Sequence, residues 1–324
     1  MRAPPRRVFL AAQIVAAALV FYFVGRSLVS QWADLRAQPL AAHPRWWIIG
    51  VSSALVLAVY ALLVQTWRVL LAEAGETLSF WKAAAIWSIS NLWRYVPGKV
   101  WQIGAMSGLA RRENVSATAA ASAALLSTVL NIAGGLAIVL VLGWRWLDVI
   151  GAGARAVAVV LIVIAVAGLA VLPFVLRRFG TWVARLSGRD IQVGVPPART
   201  IVVATVGNLV AWVAYGVAFR WFVRGVIGDA PGATWQYVAV YAASYVVGYL
   251  ILFAPGGIGA REGVMFTLLP SLGLATPKQA LLLAGASRVW LTILEIVPGV
   301  LFLGYDFARR RSPSKPPPPD ASTN

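Results

Sequence analysis

The sequence predicts an all-α, polytopic helical membrane protein with about six full spans and two Pro-Gly-broken, re-entrant helical hairpins in an inverted-repeat arrangement. Composition is the first observation: 60% of the 324 residues are hydrophobic and only 12% are charged, whereas soluble domains are about one quarter charged. Uncharged apolar runs of about 20 residues are the second, because each can cross the hydrocarbon core as a helix. Interruption of two such regions by proline and glycine is the third.

The full spans follow from the continuous apolar runs, taken in chain order. The first run follows Arg2, Arg6 and Arg7, and because no convincing cleavage site comes after it, we interpret it as an uncleaved helix rather than a signal peptide. The six predicted spans are 8–28, 47–67, 117–142, 156–176, 200–222 and 280–304. The two interrupted regions are 81–110 and 235–275.

Charge predicts the orientation of these elements. If the N-terminus is cytoplasmic and each broken region returns to its own side, the inner segments hold more than twice as many Lys and Arg residues as the outer ones, as the positive-inside rule requires. Residues 1–305 then form one transmembrane domain, and residues 306–324 form a cytoplasmic, proline-rich, disordered tail. Charge does not distinguish re-entrant hairpins from hairpins that span fully.

The formal net charge of +17 indicates the kind of partner. Most basic residues lie in short loops beside apolar runs, and no separate basic domain is present that could bind a nucleic acid. We therefore expect anionic membrane lipids, rather than nucleic acid, to be the partner.

The first broken region contains S-N-L-W-R-Y-V-P-G-K-V-W-Q-I-G, residues 90–104. Pro97 lacks an N–H group and its ring clashes with the preceding turn of a helix, and Gly98 adds backbone freedom. Arg94 and Lys99 flank this break, and Gln102 follows it. Charged residues at membrane depth are costly and usually face a cavity, so they are candidates for a functional site.

The second broken region contains L-F-A-P-G-G-I-G-A-R-E-G, residues 252–263. Pro255, Gly256 and Gly257 form the break, and Arg261 and Glu262 follow it. Each region lies between two predicted full spans, and the predicted topology inserts the two from opposite sides. Paired interrupted segments of opposite orientation are typical of inverted repeats, whose breaks meet at a transport site near the midplane.

We predict that both breaks and a charged face of the last span form one substrate-binding site. Free N–H groups at each half-helix start favour an anion, and arginine binds phosphate through two parallel hydrogen bonds. Arg288 and Glu295 lie seven residues apart and share a helix face; we expect Arg288 to pair with Glu262, and Arg261 with Glu295. The predicted site residues are Arg94, Pro97, Gly98, Lys99, Gln102, Pro255, Gly256, Gly257, Arg261, Glu262, Arg288 and Glu295.

Other interpretations of these charges stay open. The Arg and Glu residues could form an ion network that only orders the bundle, and Glu262 could simply cap a helix. The chain has no cysteine and one histidine, so no metal site is expected. We find neither a catalytic combination of residues nor a nucleotide-binding motif, and therefore predict no catalytic residues and no cofactor.

R-Y-V-P-G-K-V-W (94–101) and P-G-G-I-G-A-R-E-G (255–263) resemble the paired signatures of the lysylphosphatidylglycerol synthase transmembrane family of flippase-like proteins. The resemblance covers most of residues 8–305 and implies a multi-pass protein of the bacterial inner (plasma) membrane. It implies translocation or binding of an anionic lipid or lipid-linked head group. Because no catalytic combination of residues is found, we predict that the chain is not an enzyme. The soluble aminoacyl-transferase domain of the best-known members is not expected, because only residues 306–324 follow the last span.

Two alternatives to transport remain at this point. The chain could be an intramembrane enzyme that acts on lipid-linked sugars, with Glu262 or Glu295 as general base. It could instead be a non-transporting scaffold of an envelope-synthesis complex. The sequence leaves open whether it forms a homo-oligomer or binds such an envelope-synthesis partner.

Overall fold

A computed structural model describes residues 44–95, 100–146, 196–250 and 259–311, together with Gly257 and scattered positions between 153 and 178. The predicted span 8–28 and the last part of the predicted tail, 312–324, lie outside the described residues. Most of the predicted span 156–176 does so as well. All regular structure in the described part is helical, so this part of the chain is all-α, as predicted.

Eight α-helices have both ends within the described residues and are numbered here in chain order. Two short 3-10 turns, Leu92–Tyr95 and Trp144–Trp146, follow α2 and α4. The helices are α1 (Trp46–Ala72), α2 (Phe80–Asn91), α3 (Val100–Arg112), α4 (Ala117–Gly143), α5 (Ala198–Ile227), α6 (Thr234–Leu250), α7 (Ala260–Ser271) and α8 (Pro277–Arg311).

Four of these helices, α1, α4, α5 and α8, are long and apolar enough to cross a membrane. They correspond to the predicted spans 47–67, 117–142, 200–222 and 280–304. The chain is therefore a multi-pass membrane protein. Helix α8 continues to Arg311, and so takes in residues 306–311 of the predicted tail.

Small residues let the long helices approach closely. A Cβ atom added to Gly216 of α5 would lie 2.3 Å from the Cα atom of Val238 in α6. One added to Gly135 of α4 would lie 2.8 Å from the Trp212 ring. Close approach at small residues is the usual way in which membrane helices gain packing contacts, because lipid is as apolar as the side chains.

Buried polar groups cross-link the same helices. Asn131 of α4 donates to the side-chain oxygen of Asn208 in α5 at 2.9 Å, and the Trp212 indole donates to the Asn131 carbonyl at 2.8 Å. Ser52 of α1 donates to the Ala218 carbonyl at 2.7 Å. Such bonds fix the helices in register and satisfy polar atoms that lipid could not.

Both predicted broken regions contain a helix–break–helix arrangement. In the first, α2 ends at Asn91 and α3 begins at Val100. In the second, α6 ends at Leu250 and α7 begins at Ala260. Helices α2, α3 and α7 have 12, 13 and 12 residues, fewer than the about 20 that a full span needs.

The two ends of each hairpin lie side by side. Lys82 near the start of α2 pairs with Glu113, just after α3, at 2.7 Å. A Cβ atom added to Gly232, just before α6, would lie 2.6 Å from Leu274, just after α7. Each pair of helices therefore turns back on itself.

Contacts between α1 and α5 show at which end of the bundle each hairpin begins. Glu73 after α1 accepts a bond from Thr200 at the start of α5, at 2.5 Å, so α2 begins near the start of α5. The amide of Arg45, before α1, donates to the Gly225 carbonyl near the end of α5 at 2.8 Å. Because α6 follows the end of α5, the two hairpins begin at opposite ends of the α1–α5 pair.

Candidate functional site

The breaks and the middle of α8 surround one cavity. Its volume is about 50 Å³, and since one water needs about 10–15 Å³ by this measure, it holds roughly four water-sized groups. Its lining residues are Arg94, Gln102, Tyr245, Gly248, Tyr249, Gly257, Arg261, Arg288, Leu291, Thr292 and Glu295. Six predicted site residues, from α3, α7, α8 and the two breaks, therefore lie around a single space: Arg94, Gln102, Gly257, Arg261, Arg288 and Glu295.

Arg94 joins the first broken region to the second half of the chain. It lies on the 3-10 turn that ends α2, and its Nη1 atom is 2.9 Å from Oε1 of Glu295 on α8 and 3.1 Å from the Tyr245 hydroxyl on α6. Because both charged side chains are largely buried, breaking this ion pair by removing either side chain would be costly. The Arg94–Glu295 pair therefore links elements 201 residues apart in sequence.

Two amides hold the Arg94 guanidinium from the other side. Nη2 donates to the side-chain oxygen of Asn91 at 3.3 Å, and Nε donates to that of Gln102 at 3.5 Å. The Gln102 amide also donates to Asn91, at 2.6 Å. Asn91 is nearly fully buried, so this neutral cluster places the charge of Arg94 with little freedom.

Arg261 is the buried cation of the second break. It is the second residue of α7 and only 6% of its surface is exposed. Its guanidinium carbon lies 5.2 Å from the centre of the Tyr241 ring and 5.6 Å from that of Tyr245, so both rings stabilise the cation. Among the described residues, Nε and Nη2 of Arg261 have no hydrogen-bond acceptor.

Glu262 both caps α7 and pairs with a cation. Its Oε2 accepts the Gly259 amide at 2.7 Å, which satisfies an N–H group at the helix start. Its Oε1 lies 3.8 Å from Nε of Arg288. The Glu262–Arg288 pair thus forms as predicted, and the capping role does not exclude it.

The expected pair of Arg261 with Glu295 does not form in the described structure. Glu295 pairs with Arg94 instead. The reason is geometric: the Arg261 guanidinium faces the two tyrosine rings of α6, whereas the 3-10 turn brings Arg94 directly to α8.

Two glycines let the second break approach α6. Gly257 has a φ of +71°, and a Cβ atom there would lie 2.7 Å from the Gly248 carbonyl oxygen. A Cβ atom on Gly248 would lie 3.2 Å from Cβ of Arg261. Gly257 was a predicted site residue; Gly248 was not, because a lone glycine in an apolar run gives no signal.

Sequence reasoning also missed the tyrosines of α6. Tyr237, Tyr241, Tyr245 and Tyr249 follow one another at intervals of four and therefore share one helix face. Tyr245 and Tyr249 line the cavity, and Tyr245 contacts both Arg94 and Arg261. The four-residue spacing in an apolar helix could have predicted this wall.

The remaining predicted site residues, Pro97, Gly98, Lys99, Pro255 and Gly256, lie outside the described residues. In the part of the chain that the structure describes, no three His, Cys, Asp or Glu side chains are grouped as metal ligands. Three arginines, Glu295 and two tyrosines of α6 line the small cavity, and Glu262 pairs with one of these arginines.

A comparison with protein families identifies the chain. The model of the lysylphosphatidylglycerol synthase transmembrane region matches residues 9–299. The chain therefore belongs to this family, in agreement with the resemblance of its two Pro-Gly motifs. No curated protein matches the sequence.

Proposed function

We propose that this member of the lysylphosphatidylglycerol synthase transmembrane family binds the phosphate-bearing head group of an anionic lipid or lipid-linked sugar in the cavity and carries it between leaflets. The observation that carries the proposal is Arg261. A buried guanidinium with two nitrogens lacking acceptors among the described residues is costly, and an oxyanion would supply the missing bonds.

Charge in the cavity favours a singly charged head group. Arg94 pairs with Glu295 and Arg288 with Glu262, which leaves Arg261 as the described arginine of the cavity with no carboxylate at ion-pair distance. The start of α7 beside it adds the positive end of a helix dipole. A phosphodiester oxyanion matches this arrangement in both charge and hydrogen-bonding geometry.

The small size of the cavity implies that transport needs rearrangement. Room for roughly four water-sized groups accommodates a phosphate but not a whole lipid. In the proposed cycle, phosphate competes with Glu295 for Arg94. The exchange loosens the contact between α8 and the first broken region as the head group binds.

The opposed hairpins support a path through the molecule. In the proposed topology, both hairpins are re-entrant, belong to inverted repeats and bring their breaks together near the bilayer midplane. The two hairpins begin at opposite ends of the α1–α5 pair, and this arrangement supports the proposed topology. We place both termini in the cytoplasm and the protein in the bacterial inner membrane.

Reconstitution into vesicles with fluorescent phosphatidylglycerol tests the proposed function. Arg261→Gln should slow translocation roughly ten- to hundredfold, because a hydrogen bond to a charged group contributes about 1.5–3 kcal/mol. Arg261→Lys should give an intermediate rate, since lysine keeps the charge but loses the planar fork.

The control is Arg224→Gln, which removes an exposed arginine from the last turn of α5. It should leave the rate unchanged. Mass spectrometry should find the lipid unaltered, as expected for transport without chemical conversion. An unchanged rate in Arg261→Gln would contradict the proposed site, and a product of altered mass would favour an enzyme.

A further inference from the structure

An apolar groove lies between α1, α2 and α8. Its volume is about 630 Å³, within the range of pockets that bind small molecules. The lining is almost entirely hydrocarbon and aromatic: Leu57, Trp81, Leu294, Val297, Pro298, Leu301, Phe302 and Tyr305. The charged cavity is lined by a different set of residues, but its lining residues on α8 lie next to those of the groove in the chain.

One face of α8 runs from the cavity into the groove. Leu291 and Glu295 line the cavity. Pro298, Phe302 and Tyr305 line the groove. These five residues follow one another at steps of four, three, four and three, so they form one continuous stripe on the helix.

Helix α2 and the turn that follows it also border both the groove and the cavity. Trp81, near the start of α2, lines the groove, and Arg94, on the turn that ends the same hairpin arm, lines the cavity. Between them α2 and α8 touch closely: a Cβ atom added to Gly299 would lie 2.9 Å from the Ser88 carbonyl oxygen. The charged cavity and the apolar groove are therefore bounded by the same two elements, α8 and the arm formed by α2 and its following turn.

The dimensions match half a bilayer. Glu295 and Tyr305 are ten residues apart, which corresponds to about 15 Å along a helix, half of the about 30 Å hydrocarbon thickness. Trp81 and Tyr305, at the outer end, are 72% and 68% exposed, and such aromatic residues mark the membrane–water interface. In the proposed topology, the groove runs from the depth of the cavity to one membrane surface.

We propose that this groove holds one acyl chain of the phospholipid whose phosphate binds in the cavity. The proposal rests on the proposed function for the identity of the head group, and it adds a second recognition site for the chain. It requires a diacyl or similar amphipathic substrate, and it excludes a free phosphate ion as the preferred ligand.

Photoactivatable phosphatidylglycerol, with a diazirine in its acyl chain, tests the proposal in reconstituted vesicles. Mass spectrometry of labelled peptides should find severalfold more label on groove residues than on the exposed valines of α5, such as Val202 and Val206. Diacylglycerol with the same diazirine chain lacks the phosphate and should show no such preference.

Two matched variants sharpen the test. Val297 lines the groove and Val300 does not, yet both lie on α8 and both are 48% exposed. Val297→Trp should fill the groove, abolish the preferential labelling and slow lipid translocation, whereas Val300→Trp should change neither. Preferential labelling that survives Val297→Trp would contradict the proposal.

Two further outcomes would overturn it. Equal labelling of the groove and α5 by both lipids would mean that the groove holds bulk lipid only. Disulfide formation between Leu301→Cys and a cysteine introduced within 8–28 would mean that this apolar segment covers the groove; the absence of native cysteine makes that test clean.

The failure of this proposal is distinguishable from the failure of the proposed function. Translocation that depends on Arg261 but not on Val297 would leave the transport function standing without the acyl-chain site. Phosphate-dependent labelling of the groove without any translocation would leave the lipid site standing without transport.

Discussion

At the scale of single residues, the Arg94–Glu295 pair is the most informative contact of the cavity. It is largely buried and lies between elements from the two halves of the chain. The Lys82–Glu113 pair offers a comparison. It joins the two ends of the first hairpin, but both of its side chains are substantially exposed to solvent. The buried pair should contribute more to stability than the exposed pair, because water screens exposed charges and leaves their pairs with little net energy.

Glu295→Gln should lower the free energy of unfolding by about 3–5 kcal/mol, because it breaks a largely buried ion pair. Thermal unfolding of the purified protein in detergent measures this as a lower midpoint temperature. In a double-mutant cycle with Arg94→Gln, the coupling energy should reach about 1–3 kcal/mol.

The exposed pair provides the control for that cycle. Lys82→Gln combined with Glu113→Gln should show a coupling energy below about 1 kcal/mol. Equal coupling in the two pairs would mean that Arg94 and Glu295 do not hold their elements together.

At the scale of elements, the turn between α6 and α7 depends on backbone that only glycine tolerates well. Gly257 and Gly259 have φ angles of +71° and +87°, which L-residues rarely adopt. Gly257 also lies against the backbone of Gly248. The broken region is thereby held against α6, with Arg261 placed over the tyrosine rings.

Gly257→Ala should destabilise the protein and impair lipid binding. Left-handed backbone costs a non-glycine residue about 1–2 kcal/mol, and the added Cβ atom would clash with the Gly248 carbonyl oxygen. The unfolding midpoint in detergent and the affinity for phosphatidylglycerol measure the two effects.

Gly263→Ala is the matched control, because this glycine lies in α7 with open space around it. Alanine should be neutral there or stabilise the helix by up to about 1 kcal/mol. Similar losses in both variants would show that the turn geometry at Gly257 is not the cause.

At the scale of the whole molecule, the two hairpins begin at opposite ends of a bundle built around α1 and α5. Buried aromatic side chains from several helices fill the bundle, including Trp212, Phe219 and Tyr241. Phe222 of α5 and Trp290 of α8 stack at 4.3 Å. This packed frame allows two short broken regions to meet around one cavity.

Single cysteines introduced into the cysteine-free chain test this arrangement. In sealed vesicles of one orientation, a membrane-impermeant maleimide should label Lys82→Cys and Glu113→Cys from one side. Asp229→Cys and Lys278→Cys, at the ends of the second hairpin, should be labelled from the other side. Labelling of all four positions from the same side would contradict the opposed arrangement.

The sequence by itself determined the features that depend on local physics. Twenty-residue apolar runs predicted α1, α4, α5 and α8 because crossing a bilayer depends on continuous hydrophobicity. Proline and glycine marked the two helix breaks because their effects on the backbone are local. Arg94, Arg261 and Glu295 stood out because charge at membrane depth needs a compensating environment.

Only the tertiary structure decided which of these groups meet. Glu295 pairs with Arg94 rather than Arg261, and Tyr245 bridges both cations, because the fold brings together positions as much as 201 residues apart in sequence. Gly248 and the groove beside Val297 had no local signal, since their roles arise from the neighbouring backbone and from surfaces that other helices complete. Composition predicts which segments can cross the bilayer, whereas the residues that contact one another are determined by how those segments pack.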